Sequence, residues 1–125
     1  MRETVLLYHF EDKNRLSEVR IALMTLKLYV QEIEKQDYEQ PIGIFAGVSG
    51  ISRKESADCA VENIENEMVV LCGLTERKLD RVLQALKRRK LVIPYKAILT
   101  DTNKSWSGIE LYHEIVKEHQ QITNA

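Results

Sequence analysis

Cysteine, proline and glycine are scarce here, with two, two and five among 125 residues. Cys59 lies in a polar stretch and Cys72 ends an apolar run, so the two form neither a metal-type nor a redox-type pair. A chain of this length builds one core without a disulfide, and both are expected as reduced thiols. No apolar run approaches the roughly twenty residues needed to cross a bilayer. Met1-Arg2-Glu3 leads straight into a short apolar strand instead of a leader's hydrophobic region, so a cytoplasmic protein without a membrane partner is expected. No sign of charge dominates either. The formal net charge of -1 withholds the broad basic field that attracts phosphate backbones, and nucleic acid is not an expected partner. No internal repeat and no low-complexity tract is visible.

What is present is an ordinary globular composition, 44% hydrophobic and 30% charged, and the whole chain, 1–125, reads as a single α/β domain. Thr4 to Phe10 and Met68 to Cys72 are uniformly apolar, the pattern of strands covered on both faces. Leu28 to Glu34 alternates, as an edge strand does, and Val92 to Leu99 carries Pro94, which belongs at an edge or at a strand's beginning. Between the first two strands Leu16, Val19, Leu23 and Leu26 recur at helical spacing behind the cap Asp12. Leu79, Val82, Leu83 and Leu86 do the same between Thr75, a second cap, and the basic run Lys87-Arg88-Arg89-Lys90, which complements the carbonyls of a helix end. A short helix from Pro41 to about Gly47 places Gly43 and Gly47 on one face. Residues 52–66 are polar and are expected as a mobile connector. Trp106, Ile109, Tyr112 and Val116 mark a last helix after the turn at Thr100 to Asn103.

Alternation of strand and helix favours a small, mainly parallel four-stranded sheet of order 2-1-3-4 with helices on both faces. In that arrangement the carboxyl ends of the first and third strands share a rim, the place where open sheets bind ligands. His9, Glu11 and Asp12 border it from one side, and Cys72, Gly73, Leu74 and Thr75 from the other. An anion held by amides at the start of the second helix is the ligand such a crevice suits. Cys72 with His9 as base forms a possible nucleophile, set against simple packing of a buried thiol. His113 and His119 lie six apart and miss the helical spacing of a zinc pair. No cofactor, metal or catalytic set is indicated.

Cys72-Gly73-Leu74-Thr75, Leu79, Leu83, Leu86, the run Ile93-Pro94-Tyr95-Lys96-Ala97-Ile98-Leu99-Thr100 and Trp106 resemble the bacterial domain of unknown function family 3783. Leu6-Leu7-Tyr8 and Gln40-Pro41-Ile42-Gly43 also look like its longer members. The resemblance implies no activity, cofactor or catalytic residue. A looser likeness in fold is to phosphoacceptor receiver domains, with Glu11-Asp12 as the acidic pair, but Leu71-Cys72-Gly73 lacks their phosphorylated aspartate. The expectation is therefore a non-enzymatic regulatory or protein-interaction domain. Its partner is another protein or a second copy, joined through a sheet edge or the Gly43/Gly47 face. The alternative is a small anionic-ligand protein or enzyme using the crevice.

Overall fold

The computed structural model describes residues 2–54 and 63–123. Strand β1, Thr4–Tyr8, is followed by helix α1, Lys13–Leu23, and strand β2, Tyr29–Ile33. A short helix α2, Ile42–Ala46, precedes strand β3, Met68–Cys72. Helix α3, Glu76–Arg88, strand β4, Tyr95–Ile98, and helix α4, Gly108–Thr123, complete the order. The central part of the expected connector, 55–62, and with it Cys59, lies outside the described residues.

The two fully apolar strands need cover on both faces, and they occupy the centre of one sheet of order β2-β1-β3-β4. The edges are the alternating strand and the one that Pro94 precedes, where a missing amide hydrogen costs the ladder nothing. Order and edges are those expected from the sequence.

Strand direction is not. β1 runs parallel to β2 and β3 parallel to β4, but the central pair is antiparallel, with Thr4 opposite Cys72 and Tyr8 opposite Met68. The sheet is mixed, not mainly parallel. The chain leaves β2 at Ile33, beside Tyr8, and re-enters the sheet at Met68, also beside Tyr8. The connection thus begins and ends at one end of the sheet, folding α2 against β1 on the way; a parallel β3 would oblige it to travel a strand's length further.

The reversal also moves the helices. With right-handed crossovers and a parallel centre, α1 and α3 would take opposite faces; with an antiparallel centre they take the same one. They pack there side by side over Val5, Leu7, Val69 and Leu71. The other face, with Leu6, Tyr8, Met68, Val70 and Cys72, is covered by α2 and α4.

Two βαβ units therefore lie head to tail about an approximate twofold axis that passes between Leu6 and Val70, the middle pair of the ladder. An internal repeat, not expected from the sequence, is present. Leu16, Val19, Ala22, Leu23, Lys27 and Leu28 recur at one constant offset as Leu79, Val82, Ala85, Leu86, Lys90 and Leu91. The backbone repeats too: His9 and Gly73, each the first residue after a central strand, have φ of 63° and 71°, and Lys27 and Lys90 have 55° and 57°. So do the ion pairs. Glu67, before β3, meets Arg15 of α1, and Glu3, before β1, meets Lys78 of α3 at 2.7 Å.

Candidate functional site

The antiparallel centre dismantles the expected crevice. His9, Glu11 and Asp12 follow Tyr8, which stands beside Met68 at the start of β3; Cys72 to Thr75 stand beside Thr4 at the start of β1. Four residue steps of about 3.4 Å each put the two groups at opposite ends of the sheet. The carboxyl ends of the first and third strands share no rim.

At one end, Asp12 is the cap of α1, its carboxylate accepting from the amides of Asn14 at 2.9 Å and Arg15 at 3.3 Å. His9 donates its backbone N–H to the Tyr38 hydroxyl at 2.9 Å, and its ring is 3.7 Å from Glu11. At the other end, Gly73 makes the left-handed turn that lets Thr75 cap α3, accepting from the Lys78 amide at 3.2 Å. The two caps are those read from the sequence. Leu74 packs on the α1/α3 side of the core. Cys72 points to the opposite face and is fully buried. Burial pushes its thiol up to about 12, the reverse of what a nucleophile requires, and His9 is a strand's length away.

Of the Gly43/Gly47 pair, Gly43 is buried inside the molecule and Gly47 is exposed. Gly43 donates its N–H to the Lys104 carbonyl at 2.8 Å, and a Cβ there would stand 2.8 Å from the same oxygen. Gly47 has φ 77° and ends α2. The two late histidines part as their spacing requires: His113 sets its ring against Tyr112 and His119 against Tyr95, with centroids 5.5 Å and 5.2 Å apart.

A different surface gathers charge and apolar exposure together. Helix α3 stands between two depressions. On its β4 side a pocket of about 390 Å³ has a floor of Leu83, Leu86, Leu91 and Val92 and a rim of Lys87, Lys90 and Lys96. On its α1 side a groove of about 570 Å³ runs over Ala22 and Ala85, the two repeat-equivalent alanines, and is flanked by Arg81, Arg88 and Arg89. Val92 is 79% exposed and Leu83 38%. Arg89 is held by Glu18 at 2.9 Å, and the Lys96 ammonium donates to the Ile93 carbonyl at 3.3 Å. Arg81, Lys87, Arg88 and Lys90 make no ion pair with a described residue.

The repeat supplies an internal control for this charge. Both helices end against the same sheet with the same left-handed exit, so the attraction of a helix end for cations acts equally on both. Yet the partners of Arg81, Lys87, Arg88 and Arg89 in α1 are Glu18, Met24, Thr25 and Leu26. Arg20 alone stands in the last turn of α1, and within the basic run of α3 Arg89 is engaged by Glu18, so the helix end by itself does not account for Arg81, Lys87 and Arg88 together. The sequence announces the run, but only the repeat shows that its placement is particular to α3.

The fold is thus a mixed α/β sheet built from two βαβ units, with a basic and partly apolar ridge on the second. Residues 67–122 match the model of a domain of unknown function, DUF3783. The match takes in β3, α3, β4 and nearly all of α4, including every residue quoted above from Cys72 onward, while Leu6-Leu7-Tyr8 and Gln40-Pro41-Ile42-Gly43 fall outside it. No curated protein and no solved structure matches the chain.

Proposed function

We propose that the protein is a non-enzymatic regulatory or protein-interaction domain of the cytoplasm, and that the α3 ridge is the surface by which it acts. The observation that carries this reading is the divergence of two otherwise equivalent helices: the buried positions of α1 and α3 are shared, while Glu18, Met24, Thr25 and Leu26 in and after α1 correspond to the basic Arg81, Lys87, Arg88 and Arg89 in and after α3. A surface that folding leaves free to vary and that nonetheless concentrates one charge around exposed leucine and valine is suited to a partner. His9 and Asp12 at one end of the sheet and Cys72 to Thr75 at the other offer no comparable convergence.

The test is site-specific photocrosslinking in cells. A photoreactive residue at Leu83 should yield one discrete protein adduct that the same group at Glu118, on the far side of the sheet, does not. Absence of a protein adduct at Leu83, with thermal stabilisation by a metabolite instead, would reverse the assignment in favour of a small-ligand protein.

A further inference from the structure

Resting on the reading of the ridge as an interaction surface, we infer the chemistry of its partner: an acidic protein segment that carries bulky aliphatic side chains. The pocket on the β4 side combines two demands in one place. Its floor of Leu83, Leu86, Leu91 and Val92 is matched by an aliphatic side chain, and its three lysine ammonium groups by carboxylates around that side chain. Across α3, Arg81 and Arg88 flank the second groove, over the two alanines with Ile21 and Leu26, where guanidinium groups can take further carboxylates in pairs. A segment lying across the helix meets both. The acidic residues of α3 itself, Glu76 and Asp80, stand toward its beginning, away from the Lys87 to Lys90 end.

A single-stranded nucleic acid satisfies the charge but not the floor. Neither depression is lined by an aromatic ring on which a base could stack, and the formal net charge of -1 supplies no wider attraction for phosphates. The lined apolar pocket is what separates the two partners, and it selects the peptide.

The full chain is titrated, by fluorescence anisotropy, into a labelled synthetic peptide of glutamate with interspersed leucine, into its leucine-to-serine version, and into a single-stranded oligonucleotide of equal charge. The leucine peptide is expected to bind saturably, and the serine version about tenfold or more weakly, as the loss of one well-buried leucine contact requires. Lys87→Glu with Lys96→Glu, and separately Arg81→Glu with Arg88→Glu, should each weaken binding by about tenfold or more. Lys27→Glu, at the repeat position of Lys90, should leave it unchanged. All of these side chains are exposed, and circular dichroism of each variant is to check that it folds. Equal affinity for the leucine and serine peptides, equal affinity for the oligonucleotide, or no binding to the leucine peptide would each overturn the inference. A crosslinked partner at Leu83 that lacks an acidic, aliphatic segment would overturn it while leaving the interaction reading standing.

Discussion

Arg15 clasps Glu67 with two parallel hydrogen bonds, Nε to Oε2 at 2.7 Å and Nη2 to Oε1 at 2.6 Å, while Nη2 also donates to the Val92 carbonyl at 2.9 Å. One guanidinium thus ties α1 to the segment before β3 and to the approach to β4. Removing the carboxylate leaves a partly buried cation with one weaker partner. Glu67→Gln should lower the free energy of unfolding by about 2 kcal/mol. The repeat-related Glu3→Gln, which frees a single lysine bond and whose own side chain is more exposed than that of Glu67, should cost less than about 1 kcal/mol. Urea unfolding of the two variants checks both values and their order.

Gly108 opens α4 directly against the ring of Tyr8. A Cβ there would lie 3.0 Å from Cζ and closer still to Cε1 of a ring that is fully buried between α4 and the sheet. Tyr8 has no free space to retreat into, so even one methyl group is overpacking. Gly108→Ala should destabilise by about 1–3 kcal/mol in thermal or urea unfolding, whereas Ser107→Ala should cost about 1 kcal/mol through loss of the cap that Ser107 Oγ provides to the Glu110 amide at 3.1 Å.

Cys72 should behave as a packed thiol. In the folded protein its modification by iodoacetamide near neutral pH should be far slower than in denaturant, followed on the Cys72 peptide by mass spectrometry. Its acid form is favoured by folding, because burial raises its pKa from 9.0 to about 12. The unfolded chain therefore loses this proton first as pH rises. The stability contributed is complete below pH 9 and is progressively lost up to about 12. Tyr8 and Tyr112, both raised by burial, add to the same decline at higher pH. Urea midpoints measured from pH 8 to about 11 should fall, and Cys72→Ala should flatten the first part of that slope.

Leu83 and Leu86 sit on the same helix with opposite duties. Leu86 is 3% exposed and Leu83 38%. Leu86→Ala should cost about 2–5 kcal/mol, and Leu83→Ser under about 1 kcal/mol, as expected of a surface position. A large stability loss at Leu83 would make it a core residue and remove the floor from the proposed docking pocket.

Much of the fold is legible in the residues. Uniformly apolar runs mark β1 and β3 as central, alternation and Pro94 mark the edges, and Asp12 and Thr75 are caps in fact as in expectation. Direction is not legible in the same way, because a strand covered on both faces shows one pattern whether its neighbour runs with it or against it. The direction of β3 is set by where the connection from Ile33 to Met68 begins and ends, and residues 34–67 carry no periodic pattern that encodes that route. The shared crevice fell with the direction, since His9 and Thr75 came together only in a parallel sheet. The repeat was available in the pairs from Leu16/Leu79 to Leu28/Leu91, but the flanking strands match at a different offset, so the signal breaks off after one helix. Ser107 and Glu110, a reciprocal cap of α4, are a further signal that the residues carry.

The head-to-tail arrangement of the two units rests on the ladder between β1 and β3, and through-space proton contacts in solution test it most directly. NMR of the labelled chain should give cross-strand contacts from Thr4 to Cys72 and from Tyr8 to Met68, with Leu6 facing Val70 at the centre. Contacts from Thr4 to Met68 and from Tyr8 to Cys72 would mean parallel strands, restoring the shared rim and contradicting the twofold on which the α3 ridge was distinguished.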